Sequence, residues 1–179
     1  MVDELNQEDT FNYFLICKIC IDEECCAEPY FTFCARNEID KIKEKIKDFP
    51  EIFHDFLEVD TIMYNGEVYE WYGIKKVNGR CIFLKNRRIC MIQDVKPLHC
   101  RCYPLVWEYD LTHNKLLIYL DTHPDCALVP LISKDKQWLI RMKEIIVNEV
   151  QQMPMIDRIA YSSLDCDDTL QLIDTIDLL

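Results

Sequence analysis

The chain has 179 residues and a mass of 21.4 kDa, and 32 acidic against 20 basic residues give it a formal charge of −12. This length favours a single domain spanning residues 1–179, and the acidity excludes a general nucleic-acid binder, because contacts to phosphates require an excess of Lys and Arg. Only three glycines occur, which excludes a glycine-rich phosphate loop of the kind that binds nucleotides.

The segment after Cys34 is predicted to form two helices. Between Asn37 and Asp48, isoleucines recur at steps of three and four with lysines on the opposite face, which indicates an amphipathic helix with Asn37 as its N-cap. Pro50 follows and is placed to open a second, shorter helix.

Residues 61–121 favour small antiparallel hairpins, because they are rich in β-branched and aromatic residues and are interrupted by turn signals. The predicted strands are 61–64, 67–74, 80–84, 88–92, 103–109 and 115–121. A two-residue turn at Lys85 and Asn86 would place Cys81 directly opposite Cys90, with their Cβ atoms about 5 Å apart. The sequence therefore predicts a chelating pair on one face of this hairpin.

Helical periodicity returns after Ser133, the predicted N-cap of a helix that continues to Val150. One or two shorter helices are expected within 154–179. The chain thus reads as an α+β domain with small hairpins over about 61–121, flanking helices and a helical C-terminal part over 133–179. No apolar stretch approaches the roughly 20 residues that span a bilayer, so we expect no membrane segment.

The unusual feature of the composition is its eleven cysteines, about 6% of the chain. This fraction is below the roughly 8–10% of a small disulfide scaffold. The acidic N-terminus has neither the basic nor the apolar region of a signal peptide. We therefore expect a cytoplasmic protein in which the cysteines are metal ligands or reactive thiols.

Cys17 and Cys20 form a C-x-x-C motif, whose spacing lets two sulfurs converge on one metal. The same motif occurs in redox dithiols, but here the adjacent Cys25 and Cys26 follow closely. A neighbouring pair does not easily direct both sulfurs to one tetrahedral ion, so the pattern favours two adjacent sites or one multinuclear cluster. A second cysteine group follows later in the chain, at Cys81, Cys90, Cys100, Cys102 and Cys126.

Pro97 and Pro104 restrict the backbone around Cys100 and Cys102, which predicts a rigid ligand loop and not the interior of a strand. On an extended segment these two sulfurs would lie on the same side.

Together these motifs resemble the CxxCxxCC-type cysteine-cluster family, described as a zinc- or iron-chelating domain. The matching residues are Cys17-x2-Cys20-x4-Cys25-Cys26, Gly79-Arg80-Cys81-Ile82-Phe83-Leu84, Cys90-Met91-Ile92, Lys96-Pro97-x2-Cys100-Arg101-x-Tyr103-Pro104 and Pro124-Asp125-Cys126. The resemblance covers a core of about 15–127 and implies eight ligands, namely Cys17, Cys20, Cys25, Cys26, Cys81, Cys90, Cys100 and Cys126. Flagellin lysine N-methylases are similar to it as longer relatives with an iron–sulfur centre, but this chain has no separate S-adenosylmethionine signature.

The charge of the chain is uneven. Residues 75–101 hold eight basic residues against Asp94 alone, a local charge of +7, while the remainder carries −19. Nearby cations favour thiolates and offset the charge of a thiolate–metal cluster. Arg80 and Arg101 adjoin predicted ligands, so we expect them to lie beside the bound cofactor.

The other cysteines and histidines have less specific signals. We expect Cys34 and Cys166 to be buried as small apolar residues, and His99 and His123 to be hydrogen-bonded or exposed beside the ligand segments. The role of Cys102 stays open.

The sequence predicts a protein that binds an iron–sulfur cluster, the preferred cofactor, or zinc. All-sulfur ligation suits both. The centre would serve redox chemistry or the modification of a protein or cofactor, and the alternative is a zinc-stapled interaction or metal-handling module without catalysis. Whether the chain is an enzyme stays open. The predicted partners are the metal or cluster and a protein, with neither nucleic acid nor membrane.

Overall fold

The computed structural model describes Cys26 and residues 32–85, 89–123, 126–161 and 169–178. Its helices and small antiparallel sheets confirm the α+β class. The expectations for Cys17, Cys20, Cys25 and Cys166 fall outside the described residues.

Helix α1 spans Arg36–Ile46 and the short helix α2 spans Pro50–Phe53, so both predicted helices are present. The N-cap of α1 is Ala35 and not Asn37, because the backbone N–H of Ala35 donates to the carboxylate of Glu38 at 3.0 Å. The helix therefore begins two residues earlier than the predicted N-cap indicates.

Strands β1, Leu57–Tyr64, and β2, Glu67–Ile74, form an antiparallel hairpin. The turn between them is Asn65 and Gly66, whose φ angles of 52° and 82° are those of a two-residue hairpin turn. The second strand has the predicted bounds, whereas the first begins four residues before the predicted position 61.

Two shorter hairpins follow. Their strands are β3, Lys76–Val77, β4, Arg80–Cys81, β5, Leu84–Lys85, and β6, Ile89–Cys90. The predicted cross-strand pair of Cys81 and Cys90 is wrong. Cys90 faces Leu84 because three residues, not two, separate the last pair of β5 and β6, and Cys81 faces Lys76 in the other hairpin.

A 3₁₀ turn at Gln93–Val95 leads into the one-turn helix α3, Leu98–Cys102. The segment between the two prolines is not the interior of a strand, and this part of the prediction is confirmed. Its backbone is helical, however, and not extended. Residues two apart on a helix lie on opposite sides, so the expectation that Cys100 and Cys102 share a side is wrong. Cys102 is fully buried, whereas Cys100 is half-buried.

The remaining elements are β7, Leu105–Asp110, β8, Lys115–Asp121, α4, Val129–Ile132, α5, Lys136–Gln152, α6, Met155–Tyr161, and β9, Leu170–Asp177. The N-cap of α5 is Asp135, whose carboxylate accepts the N–H of Trp138 at 2.9 Å; the prediction of Ser133 is wrong. The predicted helical C-terminal part is wrong in its last element, because β9 pairs with β8 and completes a sheet of order β7-β8-β9.

The buried side chains form two clusters. The first lies between the three-stranded sheet and helices α5 and α6, with Trp107 and Tyr161 among its largest members, and the second lies against α1 and the short hairpins. Phe33 belongs to the first cluster and its neighbour Cys34 to the second. Asp157 of α6 links them further, because it accepts the N–H of Arg36 at 3.0 Å and pairs with its guanidinium.

No helix within the described residues is long and apolar enough to cross a membrane.

Candidate metal centre

Four of the eight predicted ligands belong to one thiol group, and they come from separate parts of the chain. Cys26 precedes the helices, Cys81 ends β4, Cys90 ends β6 and Cys100 is in the middle of α3. Each is half-buried and none is in a disulfide. We refer to these four residues as the thiol group.

The electrostatics of Cys100 indicate that the four thiols lie near one another. Its pKa is raised well above the usual range for a thiol, first by burial and then by the neighbouring sulfurs of Cys81, Cys26 and Cys90. Like charges raise a thiol pKa only when they are close in space. The fold therefore gathers these thiols although up to 74 sequence positions separate Cys26 from Cys100.

Burial also raises the pKa of Cys81, to about 12, and that of Cys90. Both sulfurs have a backbone hydrogen bond two residues ahead, to Phe83 and Ile92 respectively, and this bond favours the thiolate. The two cysteines thus share one local arrangement, in which the chain turns an amide towards the sulfur. Hydrogen bonds of this kind stabilise thiolates that ligate metals.

Lysines supply positive charge at the thiol group. Lys76 lowers the pKa of Cys81, and Lys96 lowers the pKa values of Cys90 and Cys100. Both lysines belong to the basic segment 75–101, so this part of the charge pattern acts where the sequence predicts the ligands.

The donor set is chemically suited to a metal that prefers sulfur, such as zinc or the iron of an iron–sulfur cluster. Within the described residues, however, no three His, Cys, Asp or Glu side chains have the geometry that holds an ion. Cys17, Cys20 and Cys25, which are three of the predicted ligands, lie outside the described part of the chain. The described residues thus provide a set of neighbouring thiols and not a coordination sphere.

Arg101 lies next to Cys100, but its guanidinium binds carboxylates. It donates to both carboxylate oxygens of Glu149 on α5, at 2.8 and 2.6 Å, and lies 3.6 Å from Glu38 on α1. Its Nε donates to the carbonyl of Lys96 at 2.9 Å. This arrangement fixes α3, and with it Cys100, between two longer helices.

Arg80, the other predicted arginine, is half-buried in β4 beside Cys81 and faces Val77 across the hairpin.

Glu38 is the important residue near the centre that the sequence reading missed. Its side chain is almost fully buried, and its two oxygens accept the N–H groups of Ala35 at 3.0 Å and Leu98 at 2.6 Å. Burial raises its pKa, although these two bonds and Arg101 act in the opposite direction. An acidic residue in the first turn of α1 was the signal that the sequence offered. The contact to α3, however, joins residues 60 positions apart, and a local pattern does not predict it.

The structure also describes three other residues that the sequence analysis singled out. Cys126 is half-buried in the segment before α4, and its N–H donates to the carbonyl of His123 at 3.2 Å. His99 packs against Trp107 with 5.8 Å between ring centroids, and burial lowers its pKa to about 4. Cys34 is fully buried, as predicted.

A groove of about 340 Å³ lies elsewhere, between α5 and β9, and is lined among others by Ile140, Lys143, Val147 and Ile176. No cysteine lines it.

Comparison of the chain with models of protein families, with curated proteins and with solved structures finds no match.

Proposed function

We propose that this chain is a metal-binding protein whose cysteine thiolates hold an iron–sulfur cluster or zinc. The observation that carries the proposal is the thiol group, in which Cys26, Cys81, Cys90 and Cys100 act on one another from separate chain segments. The similarity of the cysteine spacing to the CxxCxxCC-type family supports it and adds Cys17, Cys20, Cys25 and Cys126 as ligands.

Two sets of effects act in opposite directions on the pKa values of the thiol group, and a bound cation would shift the balance towards the thiolates. Burial and mutual repulsion keep the metal-free thiols protonated at neutral pH. The amide hydrogen bonds and the two lysines would stabilise thiolates once a cation is present to neutralise them. Metal binding would therefore release protons and strengthen as the pH rises.

We favour an iron–sulfur cluster, because zinc that serves only folding rarely requires so many thiolates beside a domain with apolar clusters of its own. The half-buried state of the four cysteines supports a centre close to the surface, as redox chemistry or the modification of a protein or cofactor requires.

A zinc-stapled interaction or metal-handling module is the second candidate, and a specific observation favours it. Cys81 and Cys90 pack against the second buried cluster, whereas Leu98 and Cys102, on either side of Cys100, belong to the first. A metal bound by Cys81, Cys90 and Cys100 would cross-link the two clusters, which is the role of a structural zinc site.

On either reading we place the protein in the reducing cytoplasm, with the metal or cluster and a protein as its partners and with neither nucleic acid nor membrane. Free thiols persist in that compartment.

Anaerobic purification with a visible spectrum and metal analysis tests the proposal. A brown protein with iron and acid-labile sulfide supports the cluster, and a colourless protein with stoichiometric zinc supports the second candidate. A protein that contains neither metal, has disulfides by mass spectrometry and takes up neither metal on reconstitution contradicts both.

Single substitutions test the ligand assignment. Cys100→Ser and Cys20→Ser should release most of the bound metal, because a neutral hydroxyl is a poor ligand for a metal that prefers sulfur. Cys166→Ser is the matched control and should retain it. Metal analysis of the three purified variants is the measurement, and equal retention in all three would show that the assignment is wrong.

A further inference from the structure

The three most exposed large apolar side chains of the described residues all belong to the hairpin of β1 and β2. Met63 is 74% exposed, Val68 64% and Val59 57%. Met63 lies directly opposite Val68, and Val59 lies directly opposite Tyr72. Residues an even number of positions apart on a strand share a face, and so do directly opposite residues. The hairpin therefore presents an apolar stripe on one face, and exposed apolar surface of this kind is typical of an interaction site.

The base of this hairpin is anchored, and its turn is open to solvent. Trp71 stacks on Phe33 with 6.0 Å between ring centroids, and the N–H of Cys34 donates to the carbonyl of Tyr72 at 2.9 Å. At the turn, a Cβ on Gly66 would meet no described atom within 4 Å other than those of its chain neighbours. The stripe is thus held in place before any partner binds, which lowers the entropic cost of binding.

The charge of the same hairpin has one sign. Residues 48–74 hold seven acidic residues and no Lys or Arg. Four of the acidic residues are exposed on the hairpin itself, namely Glu58, Asp60, Glu67 and Glu70. Within the described residues none of these four forms an ion pair, and the hydroxyls of Tyr69 and Tyr72 donate to Glu67 and Glu70 at 2.6 and 3.2 Å. Hydrogen bonds from neutral groups leave the negative charge in place beside the apolar stripe.

This charge distinguishes between the candidate occupants of the stripe. A second copy bound through the same hairpin would bring the four carboxylates of each copy together, and like charges across an interface oppose binding. The first sixteen residues of the chain carry four acidic residues and no Lys or Arg, so their charge does not match either. Nucleic acids and anionic membranes are repelled for the same reason. A protein segment with apolar side chains between Lys or Arg residues complements both the stripe and its charge.

We propose that the face of the β1–β2 hairpin that carries Val59, Met63 and Val68 is a docking surface for a basic, partly apolar segment of a partner protein. Glu70 lies on this face between the two apolar pairs, opposite Thr61. Apolar contacts supply most of the affinity, and the carboxylates attract and orient the Lys and Arg side chains. None of these residues is a predicted metal ligand, so the surface goes beyond the proposed function and is tested without metal.

The probe is a short blocked peptide of alternating lysine and valine, titrated into the full chain by calorimetry. In an extended peptide this alternation puts the valines on one face. The peptide should bind, and binding should weaken as the salt concentration rises. An oligolysine of the same length should bind about tenfold more weakly or less, because it lacks the apolar contacts. A peptide of alternating glutamate and valine should not bind.

The double variant Met63→Thr/Val68→Thr removes the centre of the stripe and keeps β-branched residues, which suit a strand. Its affinity for the lysine–valine peptide should fall about tenfold or more, while its unfolding midpoint in urea stays close to that of the wild type. Leu172→Thr is the matched control, because Leu172 is 51% exposed on strand β9 of another sheet. This control should bind the peptide as the wild type does.

A second pair of variants tests the charge. Glu70→Gln keeps an acceptor oxygen for the Tyr72 hydroxyl but removes the charge from the stripe. It should lower the affinity for the lysine–valine peptide severalfold at low salt and have little effect at high salt. Glu144→Gln, at an exposed position of α5, is the control and should leave the affinity unchanged.

Binding that depends on charge alone would overturn the proposal. That result would be equal affinity for the lysine–valine peptide and oligolysine, or equal affinity of the wild type and Met63→Thr/Val68→Thr. Self-association of the wild type in sedimentation, abolished by the same double substitution, would make a second copy the occupant and would also overturn it. So would a wild type that binds no peptide. Each of these outcomes leaves the proposed function of the cysteines unaffected.

Discussion

At the scale of the residue, a buried charged side chain joins the elements around the thiol group. Glu38 shows this best, because one carboxylate satisfies the N–H groups that begin two different helices, α1 and α3. Each oxygen has its own donor, so the site requires two acceptors at one position.

Glu38→Gln should therefore lower the free energy of unfolding by about 1–3 kcal/mol, since an amide has one acceptor oxygen and would turn its NH₂ group towards the other donor. Urea denaturation of the metal-free chain is the measurement. Glu44→Gln on the exposed face of the same helix is the control and should change stability by less than about 0.5 kcal/mol. Equal stability of the two variants would contradict the role of Glu38.

Cys34 makes the stability of the fold sensitive to alkaline pH. Burial, followed by the carboxylates of Glu38 and Asp157, raises the pKa of its thiol far above the usual value of 9.0. The folded state therefore keeps this proton above pH 9, whereas the unfolded chain loses it, so this contribution to stability is present at neutral pH and is lost as the pH rises.

Between pH 9 and 11, the unfolding free energy of the wild type should fall more steeply than that of Cys34→Ala, by up to about 1.4 kcal/mol per pH unit. The measurement is urea denaturation under reducing conditions at several pH values, and the two curves should run parallel between pH 6 and 8. Parallel curves above pH 9 as well would show that Cys34 does not titrate differently in the two states.

At the scale of the element, α3 holds Cys100, one of the predicted ligands, in a fixed place between α1 and α5. It has only five residues, Leu98–Cys102, and is too short to be stable alone. Its partners on both sides hold it, namely Glu38 at its start and Glu149 at Arg101.

Arg101→Lys should lower zinc affinity severalfold and stability by about 0.5–1 kcal/mol, because an ammonium cannot reproduce the paired hydrogen bonds to a partly exposed carboxylate. Competition with a chelator and urea denaturation measure the two effects. Arg141→Lys, on the exposed side of α5, is the control and should change neither. A loss of stability with unchanged zinc affinity would contradict the positioning of Cys100 through Arg101.

The strands show which features of the fold a local sequence pattern can predict. Asn65-Gly66 and the flanking β-branched residues predict β2 with its correct bounds, because a tight turn fixes the register of a hairpin. The turn after Lys85 lacks glycine, and here the predicted register is wrong by three positions, because Cys90 faces Leu84 and not Cys81. Strand β9 is missed for another reason: its pairing with β8 joins residues 49 to 62 positions apart, which no local pattern records.

At the scale of the whole molecule, the two buried clusters differ in how much regular backbone structure supports them. The first includes a three-stranded sheet covered by two helices. The second packs against β4 and β6, each only two residues long, and against the cysteines in them. Strands this short contribute few backbone hydrogen bonds of their own.

Chelation of the metal from the loaded protein should therefore remove amide protection mainly from residues 76–90, while β7 and β8 remain protected by their own core. Hydrogen exchange followed by mass spectrometry, before and after chelation, is the measurement. Cys100→Ser should show the pattern of the chelated protein without chelator. A uniform loss of protection across both regions would mean that one cooperative unit contains both clusters.

The amino-acid sequence alone was enough to predict the α+β class, the helix at α1, the hairpin at β1 and β2 and the basic segment that carries Cys81, Cys90 and Cys100, because periodicity, turn chemistry and charge are local properties of the chain. Which side chains meet depends on the tertiary fold. The gathering of Cys26, Cys81, Cys90 and Cys100 and the two helix starts joined by Glu38 bring together residues that are distant in the chain. Such contacts follow from packing two apolar clusters against each other, and spacing in the sequence does not encode their distances.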